Sequence, residues 1–383
     1  MHKMELSDHT NRIDQIDQQL VALLQERLEA SAELAAFQKE QGLPLRDSWQ
    51  EREHLDRLAG MAGEDKREYI HLLYSLIFDL NKSHNSKRLG WEAPLPQQIR
   101  HAIDHTPPLF PEGQTVVCQG VAGAYSQLAC DKAFKNARIL FVKDFDNVFT
   151  AIEAGLARYG VIPVENSTAG TVNNVYDLMM KHHFSIVKSV RLKVDHNLLV
   201  NPGAKQSDIR EIFSHPQAIS QCASFLKSLP EVKVTPCANT AMAAEMVARS
   251  GRKDIAALSS YSCMRLYGLE CLQSSVQDQG NNYTRFICIT KEPEIYPGAD
   301  RTSLMATLPH KPGALYKLLA RFYAQDINLI KLESRPLPDR DFEFMFYFDL
   351  QASVYSPSFM ALMGELQDIC ETFTYLGSYS EVI

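Results

Sequence analysis

Several features that would place this chain in a specialised class are missing from its sequence. It has no run of roughly eighteen apolar residues and no apolar signal core at its start, so we predict a cytoplasmic protein without a membrane span. Lysines and arginines form no cluster, and the formal net charge is −7 at pH 7, which argues against a nucleic-acid surface. An acidic chain that binds an anion must therefore gather its cations locally.

The eight cysteines include no Cys-x-x-Cys pair, and several of them lie in apolar stretches. Such cysteines behave as small buried hydrophobic residues, so we expect free thiols and no metal site. The length of 383 residues predicts about two to four domains. A hydrophobic share of 45% beside 22% charged residues is typical of a soluble globular protein.

The first part of the chain carries the periodicity of long helices. Apolar positions within 13–34 recur about every 3.6 residues and predict an amphipathic helix. A second helix is predicted after Pro44, with Asp47 or Ser48 as its cap, and a third over about 68–86. Because three helices without a strand make a poor independent core, we expect this part to dimerise through its helices.

After these helices the pattern changes to one typical of α/β domains. Segment 91–113 is rich in proline and is predicted to be a linker. From residue 114 short β-branched runs alternate with helical segments, a second such stretch covers about 196–257, and the chain returns to a strand at 283–290. This alternation predicts two α/β lobes, each around a largely parallel sheet, with a cleft between them.

From Arg301 the predicted order is strand, helix, strand, strand, helix, strand, which is the βαββαβ order of the ferredoxin-like fold. The sequence thus predicts a multidomain protein. It consists of an all-α module over 1–90, a two-lobed α/β domain over 114–292 and a ferredoxin-like domain over 300–383.

The motif at 281–286 places a hydroxyl, Thr284, beside a cation, Arg285, at the mouth of a predicted strand. Such a pair suits an anionic substrate that must lose a poor leaving group, although the motif by itself is more typical of a polar turn. Further motifs accompany it at 120–126, 163–170, 214–217 and 333–336. Together and in this order they resemble the prephenate dehydratase family with a C-terminal ACT regulatory domain, over about 114–383. Val121, where the family often has proline, is a minor departure.

The resemblance implies which side chains line the substrate cleft. Asn166, Ser167 and Thr168 follow a strand end, where open α/β sheets place ligands, though they also suit a cap on the following helix. The loop at 120–126 is equally a plain strand-to-helix turn, with its serine as a cap. The remaining residues implied at the cleft are Ser126, His215, Gln217 and Thr240.

The implied substrate is prephenate, a dicarboxylate whose ring loses its hydroxyl as water while its ring carboxylate leaves as carbon dioxide. Thr284 matches the family's catalytic threonine and is implied to donate to that hydroxyl or to orient it. His215 is the alternative proton donor, unless it is merely a turn residue. Arg285 either holds the side-chain carboxylate of prephenate or braces the strand mouth. The reaction needs no cofactor.

The C-terminal domain resembles dehydratase ACT domains in the two motifs by which those domains hold phenylalanine. Taken alone, the motifs are a helix N-terminus and a polar strand end. The resemblance implies that phenylalanine is a feedback effector that binds a less active state better than the active one. The implied effector residues are Gly313, Ala314, Leu315, Glu333, Ser334, Arg335 and Pro336.

Residues 1–90 resemble the chorismate mutase domain that precedes the dehydratase in many bacteria. Arg27, Asp47 and Glu51 retain the family's pattern. Rearrangement of chorismate builds negative charge on an ether oxygen, so the loss of fixed cations predicts weak or absent mutase activity and a module that serves mainly as a dimerising scaffold. The family's charged or polar site residues are replaced by Thr10, Gln38, Gln50, Asn81 and Asn85.

Three interpretations follow. The favoured one is a phenylalanine-regulated prephenate dehydratase that forms a homodimer or a higher homo-oligomer. A fully bifunctional enzyme would also convert chorismate to prephenate. A non-catalytic sensor of amino acids or aromatic acids would bind its ligand without turnover.

Overall fold

The computed structural model describes residues 6–43, 48–88, 94–337 and 343–383, and the chain divides into two compact units, Met1–Pro96 and Gln97–Ile383. The first unit is helical, as predicted. Asp47, one of the two predicted caps, lies outside the described residues, and the second helix begins at Ser48. The helices of this unit are α1 (Leu6–Glu40), α2 (Ser48–Gly60) and α3 (Arg67–Arg88).

The predicted linker is wrong in part, because it contains helix α4 (Pro94–His105). Prolines stand in its first turn, where a missing N–H breaks no intrahelical hydrogen bond. Ile99 and Ala102 are buried, and Thr106 Oγ1, just beyond the helix, accepts a hydrogen bond of 2.9 Å from the backbone N–H of Ile295. Residues 97–106 therefore form an ordered part of the second unit.

Two α/β lobes open the second unit, as predicted. Their helices are α5 (Tyr125–Ala133), α6 (Phe145–Glu153), α7 (Asn173–Lys181), α8 (Pro216–Gln221), α9 (Ala223–Lys227), α10 (Thr240–Ser250) and α11 (Tyr261–Tyr267). Their strands are β1 (Thr115–Gln119), β2 (Arg138–Val142), β3 (Tyr159–Asn166), β4 (Gly170–Thr171), β5 (Ser185–Lys193), β6 (Asn197–Val200), β7 (Glu211–Ser214), β8 (Lys233–Pro236), β9 (Ile255–Ser259), β10 (Glu270–Gln273) and β11 (Tyr283–Thr290).

A four-stranded antiparallel sheet with two helices follows in the predicted βαββαβ order, and its strand order is β13-β14-β12-β15. One further short strand, β16, was not predicted; it leaves this sheet and pairs with β5 of the first lobe. The elements are β12 (Arg301–Thr307), α12 (Ala314–Ala324), β13 (Asn328–Pro336), β14 (Phe344–Gln351), α13 (Pro357–Ile369), β15 (Thr372–Tyr379) and β16 (Glu381–Val382).

The prediction of largely parallel sheets is wrong, because both lobes have mixed sheets. The first lobe has the strand order β16-β5-β11-β3-β1-β2, with β4 beside β3, and the second has β10-β6-β9-β7-β8. Strands β1, β2 and β3 are parallel to each other, but β11 runs antiparallel to both of its neighbours. The chain crosses to the second lobe after β5 and returns into β11, so the returning strand enters the first sheet in the opposite direction.

In the part of the chain that the structure describes, no helix has the length and apolar character needed to cross a membrane. Over the same residues, no group of three or more His, Cys, Asp or Glu side chains is placed to hold a metal ion. The eight cysteines are free thiols.

Candidate active site

The candidate active site lies at the ends of β3 and β11, beside the crossing between the two lobes. Thr284 is paired in register with Asn166, and Asn166 Nδ2 donates a hydrogen bond of 2.9 Å to Thr284 Oγ1. Thr168 joins this pair through its hydroxyl, which donates to Asn166 Oδ1 over 2.7 Å. The structure thus brings together three residues that the sequence predicted for one site.

Backbone donors fix the orientation of the Asn166 amide. The backbone N–H groups of Thr168 and Ala169 lie 3.1 Å and 2.9 Å from Asn166 Oδ1. Because an N–H can only donate, the atom that faces them must be the amide oxygen. The amide nitrogen therefore faces Thr284, and the threonine oxygen accepts this hydrogen bond. Its own hydroxyl hydrogen stays available for another acceptor.

The hydrogen bonds around Asn166 continue into the second lobe. Asn166 Nδ2 also donates to Asn282 Oδ1 over 2.7 Å, which leaves the Asn282 nitrogen to donate to Gln221 Oε1 over 3.0 Å. Gln221 Nε2 in turn donates to Thr168 Oγ1 over 2.7 Å. Gln221 ends α8 in the second lobe, whereas Thr168 follows β3 in the first, so this side chain bridges the two lobes.

Three residues of this network were not predicted from the sequence: Gln221, Asn282 and His196, whose Nε2 lies 2.9 Å from Gln221 Oε1. A signal existed for Gln221, since it lies four residues after Gln217, and residues at this spacing share a face of helix α8. Asn282 directly precedes the predicted strand with Thr284 and lay within the motif itself. His196 has no comparable signal, because its place depends on how the two lobes meet.

His215 and Thr240 stand at helix N-termini in the second lobe. His215 is the N-cap of α8, and its Nδ1 accepts a hydrogen bond of 3.3 Å from the backbone N–H of Gln217. The ring proton of the neutral form is therefore on Nε2. Burial lowers the pKa of His215 below its usual value, which favours that neutral form. Thr240 is the first residue of α10, whose N-cap is Asn239.

Several cap predictions are wrong. The N-cap position of α5 is Ala124, so Ser126 lies inside the helix, where it is buried, and does not cap it. Residues 166–168 do not cap α7, which begins at Asn173. Ser167 instead joins two strand ends, since its hydroxyl donates to the Asn281 carbonyl over 2.8 Å and accepts from the Tyr283 N–H over 2.9 Å.

Arg285 points away from the cleft. Neighbouring residues of a strand project to opposite faces, so the side chain after Thr284 enters the interface with the C-terminal sheet. It is 4% exposed, forms an ion pair with Asp349, and its Nε lies 3.1 Å from Glu165 Oε1. This geometry does not fit the predicted contact of Arg285 with a substrate carboxylate.

The predicted effector residues are divided between two faces of the C-terminal sheet. A cavity of about 370 Å³ is lined by Ala314 and Leu315, next to Gly313, and by Phe344 and Phe346. Ser334 and Pro336 are in register with these two phenylalanines and so share their face of the sheet.

Glu333 and Arg335 lie on the other face of β13. The hydroxyl of Thr171 donates to Glu333 over 2.7 Å, and Arg335 forms a bidentate pair with Asp177 at 2.8 to 2.9 Å. Both partners belong to the first lobe. Glu333 and Arg335 are therefore directed toward the catalytic domain and not into the cavity.

In the helical unit, two of the three residues that retain the mutase pattern, Arg27 and Glu51, contact other side chains. The Arg27 guanidinium lies 5.3 Å from the ring centroid of Phe78 and 6.0 Å from that of Tyr74. Glu51 forms an ion pair of 2.7 Å with Lys82. Buried side-chain atoms without a hydrogen-bond partner among the described residues include Arg27 Nη1, Asn81 Oδ1 and Asn85 Oδ1. Gln38 is partly exposed.

Fold and site together define a two-lobed α/β enzyme domain with a helical module before it and a ferredoxin-like domain after it. The family model described as prephenate dehydratase matches residues 116–294, and that described as chorismate mutase type II matches residues 9–86. The bifunctional chorismate mutase/prephenate dehydratase of Escherichia coli K12 is 33% identical over 378 residues, which cover 96% of this chain and 94% of that protein. The chain therefore belongs to the bifunctional chorismate mutase/prephenate dehydratase family.

Other relatives match about two thirds of the chain. Arogenate dehydratase/prephenate dehydratase 1 of Arabidopsis thaliana is 38% identical over 278 residues, 68% of this chain and 70% of that protein. The prephenate dehydratase of Arthrobacter aurescens, solved in complex with L-Phe, has a TM-score of 0.64 at 25% identity and covers 70% of this chain and 90% of its own. The solved structure of GqqA, described as a quorum quenching acylase, has the same TM-score at 32% identity, with 70% and 98% covered.

Proposed function

We propose that this chain converts prephenate to phenylpyruvate, water and carbon dioxide at the Thr284 site. The observation that carries this proposal is the direction of the hydrogen bond from Asn166 to Thr284. Because Thr284 Oγ1 is an acceptor in that bond, its hydrogen is free to donate to a leaving hydroxyl in the cleft.

The chemistry requires little more than this donor and a rigid site. The ring carboxylate leaves as carbon dioxide, and the electron pair of its C–C bond enters the ring as the C–O bond breaks. The departing hydroxyl takes up one proton and leaves as water, while the ring becomes aromatic. Thr284 supplies the hydrogen bond that stabilises charge on the departing oxygen, and preorganised donors of this kind account for much of enzymatic rate acceleration.

Donors for the substrate's carboxylates come from the second lobe. The N-terminus of α10, at Thr240, presents backbone N–H groups and the positive end of a helix dipole. The neutral His215 ring carries its proton on Nε2 and so offers one more donor. We assign these two residues to binding and orientation and Thr284 to the reacting hydroxyl.

The experiment compares Thr284→Ala with Thr284→Ser in the full chain. Loss of the hydroxyl should lower kcat by about 10² to 10⁴ while prephenate binding persists, and serine should restore part of the rate. Formation of phenylpyruvate from prephenate is followed at neutral pH. Arogenate is tested as a second substrate because the plant relative is described as an arogenate dehydratase/prephenate dehydratase. Full turnover by Thr284→Ala would refute the assignment.

GqqA is described as an acylase. Acylase activity at the Thr284 site would require a base that activates the threonine hydroxyl as a nucleophile. Thr284 accepts its hydrogen bond from an amide nitrogen, which cannot take a proton from the hydroxyl. The geometry therefore favours donation by Thr284 over nucleophilic attack.

For the C-terminal domain we propose an ACT-type regulatory role with phenylalanine as effector. The cavity beside Gly313, Ala314 and Leu315 is lined by aromatic and aliphatic side chains, which suit the ring of phenylalanine, together with His310, Lys311 and Glu343. We assign Ser334 and Pro336 to this site because they share the sheet face of Phe344 and Phe346, whereas Glu333 and Arg335 contact the first lobe. Ala314→Trp should fill the cavity and abolish phenylalanine binding, measured by calorimetry, while the uninhibited dehydratase rate is retained.

Strand β13 offers a route from the effector site to the catalytic strands. Lys331 Nζ lies 2.6 Å from Glu165, which directly precedes Asn166 in β3. The charges of Arg285 and Lys331 outweigh the effect of burial, so the pKa of Glu165 is lowered and the carboxylate is ionised. Movement of β13 on effector binding would therefore displace a charged contact immediately behind the site.

Lys331→Met tests this route. We expect the phenylalanine concentration for half inhibition to change at least about threefold, with effector binding retained, since a coupling of that size is roughly 0.7 kcal/mol. Asn328→Ala, which alters an exposed hydrogen bond to Gln351 on the same strand, is the control. Equal inhibition of both variants and the unaltered chain would contradict the route.

For the helical unit we propose a dimerising scaffold with little or no mutase activity. Ile13, Leu20 and Leu23 of α1 are 59%, 56% and 61% exposed, and the buried residues of that helix are Ala32 and Ala35. An apolar helix face of this kind is suited to packing against a second copy. Light scattering should show a dimer or a higher oligomer, and Leu20→Glu combined with Leu23→Glu should dissociate it.

A further inference from the structure

His196 lies in the segment that carries the chain from the first lobe to the second, between β5 and β6. Its backbone N–H donates to Gln277 Oε1 over 2.9 Å, and its carbonyl accepts from the N–H of Val276 over 2.8 Å. Both partners belong to the returning segment between β10 and β11. The backbone of His196 therefore joins the two segments that connect the lobes, since it lies in the first and is hydrogen-bonded to the second.

The side chain of His196 makes one hydrogen bond, and the network determines its direction. Its Nε2 lies 2.9 Å from Gln221 Oε1. The amide orientation of Gln221 follows from Asn282, and that of Asn282 from Asn166, whose oxygen is fixed by two backbone N–H groups. Since the atom facing His196 is an oxygen, the ring must carry its proton on Nε2.

This arrangement leaves the other ring nitrogen as an acceptor with nothing to accept. Nδ1 is buried without a hydrogen-bond partner among the described residues, and the side chain is 2% exposed. A buried acceptor without a partner lowers stability and is uncommon in folded proteins. Stability alone therefore does not account for a histidine at this position, and the bond from Nε2 to Gln221 is the remaining explanation.

We propose that His196 is a positioning residue for the dehydratase. Its N–H holds the Gln221 carboxamide, which binds Thr168 and Asn282, and these two hold Asn166 against Thr284. These contacts direct the Thr284 hydroxyl toward the substrate. The histidine fixes them to the connection between the two lobes. The proposal rests on the dehydratase function proposed above.

A set of three variants separates this role from packing. In His196→Gln the terminal amide nitrogen extends about as far as Nε2 and can replace its donation to Gln221. In His196→Asn the nitrogen reaches only as far as Nδ1, and in His196→Leu no donor remains. Thermal unfolding identifies the variants that fold. Asn201→Ala, which removes hydrogen bonds of 2.7 and 2.8 Å to Val247 and Arg252 in the second lobe, is the control for lost stability.

We expect kcat for prephenate to fall by about tenfold to a hundredfold in His196→Asn and His196→Leu, as expected when reacting groups are slightly misplaced, with KM changed less than about threefold. His196→Gln should stay within about threefold of the unaltered chain in kcat, and so should Asn201→Ala. Retained kcat in a folded Asn or Leu variant would overturn the proposal, and so would a Gln variant that folds but is as slow as Asn. If Asn and Leu fail to fold, the Gln variant alone still decides. Absence of turnover in the unaltered chain would instead refute the dehydratase function.

Discussion

Arg285 and Asp349 form a buried ion pair that joins catalytic strand β11 to strand β14 of the C-terminal sheet. The two side chains are 4% and 1% exposed, and the Ser303 hydroxyl also donates to Asp349. Arg285 directly follows Thr284, whose side chain accepts a hydrogen bond from Asn166. The C-terminal domain therefore contacts the strand that carries Thr284 through the residue next to it.

Asp349→Asn should destabilise the chain strongly, because it removes the fully buried carboxylate and leaves the Arg285 charge with only the partly exposed Glu165 as an acidic partner. Breaking a buried pair in this way typically costs about 3 to 5 kcal/mol. The free energy of unfolding in urea measures the loss. Asp177→Asn, which breaks the more exposed pair with Arg335, is the matched control and should cost about 1 kcal/mol or less. If the two variants lose the same free energy of unfolding, burial of the Arg285–Asp349 pair does not determine its contribution to stability.

Asn166→Asp should reduce turnover more than binding. A carboxylate has nearly the same shape as the amide but cannot donate to Thr284, so it would draw the threonine hydrogen away from the substrate. We expect kcat to fall by about 10² to 10⁴, the range typical of a lost catalytic proton donor. Asn328→Asp, which makes the same chemical change at an exposed position of strand β13, is the control. A kcat for Asn166→Asp within threefold of normal would refute this use of Thr284.

Restoring cations should raise the chorismate mutase activity of the helical unit. The substitutions are Thr10→Arg, Gln38→Lys and Gln50→Arg, and together we expect them to increase kcat/KM for chorismate by about 10³ or more, from roughly 1.5 kcal/mol for each charged hydrogen bond. A variant with lysine at Gln18, Gln19 and Gln41 adds similar charge at exposed positions and should leave the rate unchanged. Family-level turnover by the unaltered chain would show that the scaffold hypothesis is wrong.

Stability should decrease on mild acidification because of His196 and His215. Burial lowers the pKa of both side chains below the ordinary value of 6.5, although the Gln221 hydrogen bond partly opposes this shift at His196. At pH values between the lowered pKa and the ordinary pKa, the unfolded chain binds more protons than the folded chain. The contribution of these two histidines to the free energy of unfolding is therefore complete above about pH 6.5 and decreases as the pH falls below that value.

Urea unfolding at about pH 7.5 and about pH 5.5 checks this sign. The loss between the two pH values should be smaller in a variant with His196→Gln and His215→Gln than in the unaltered chain. The lowered pKa of Glu165 acts in a separate, more acidic window, below its ordinary 4.5. An unchanged loss in the double variant would assign the effect to other groups.

The sequence was sufficient to predict several elements of secondary structure. Strand β11 was predicted at 283–290 and is found at Tyr283–Thr290, and the second helix of the predicted βαββαβ order is found as α13, at Pro357–Ile369. Both carry clear local signals: alternation of apolar residues in the strand and a proline at the helix start. Helix α4 was missed because its prolines indicated a linker, although proline is well tolerated in a first helical turn.

Local periodicity determined the helical module, the two lobes and the βαββαβ order. The residues Asn166, Thr168 and Thr284 were implied by the resemblance of motifs contiguous in the chain to those of a known family. Only the tertiary structure decided that His196 contacts Gln221 of the Asn166 network, that Arg285 turns to Asp349, and that Glu333 and Arg335 face the first lobe. Each of these depends on which elements meet in space and on which face of a strand a side chain occupies. Pairing between distant segments sets both of these, and no local pattern records them.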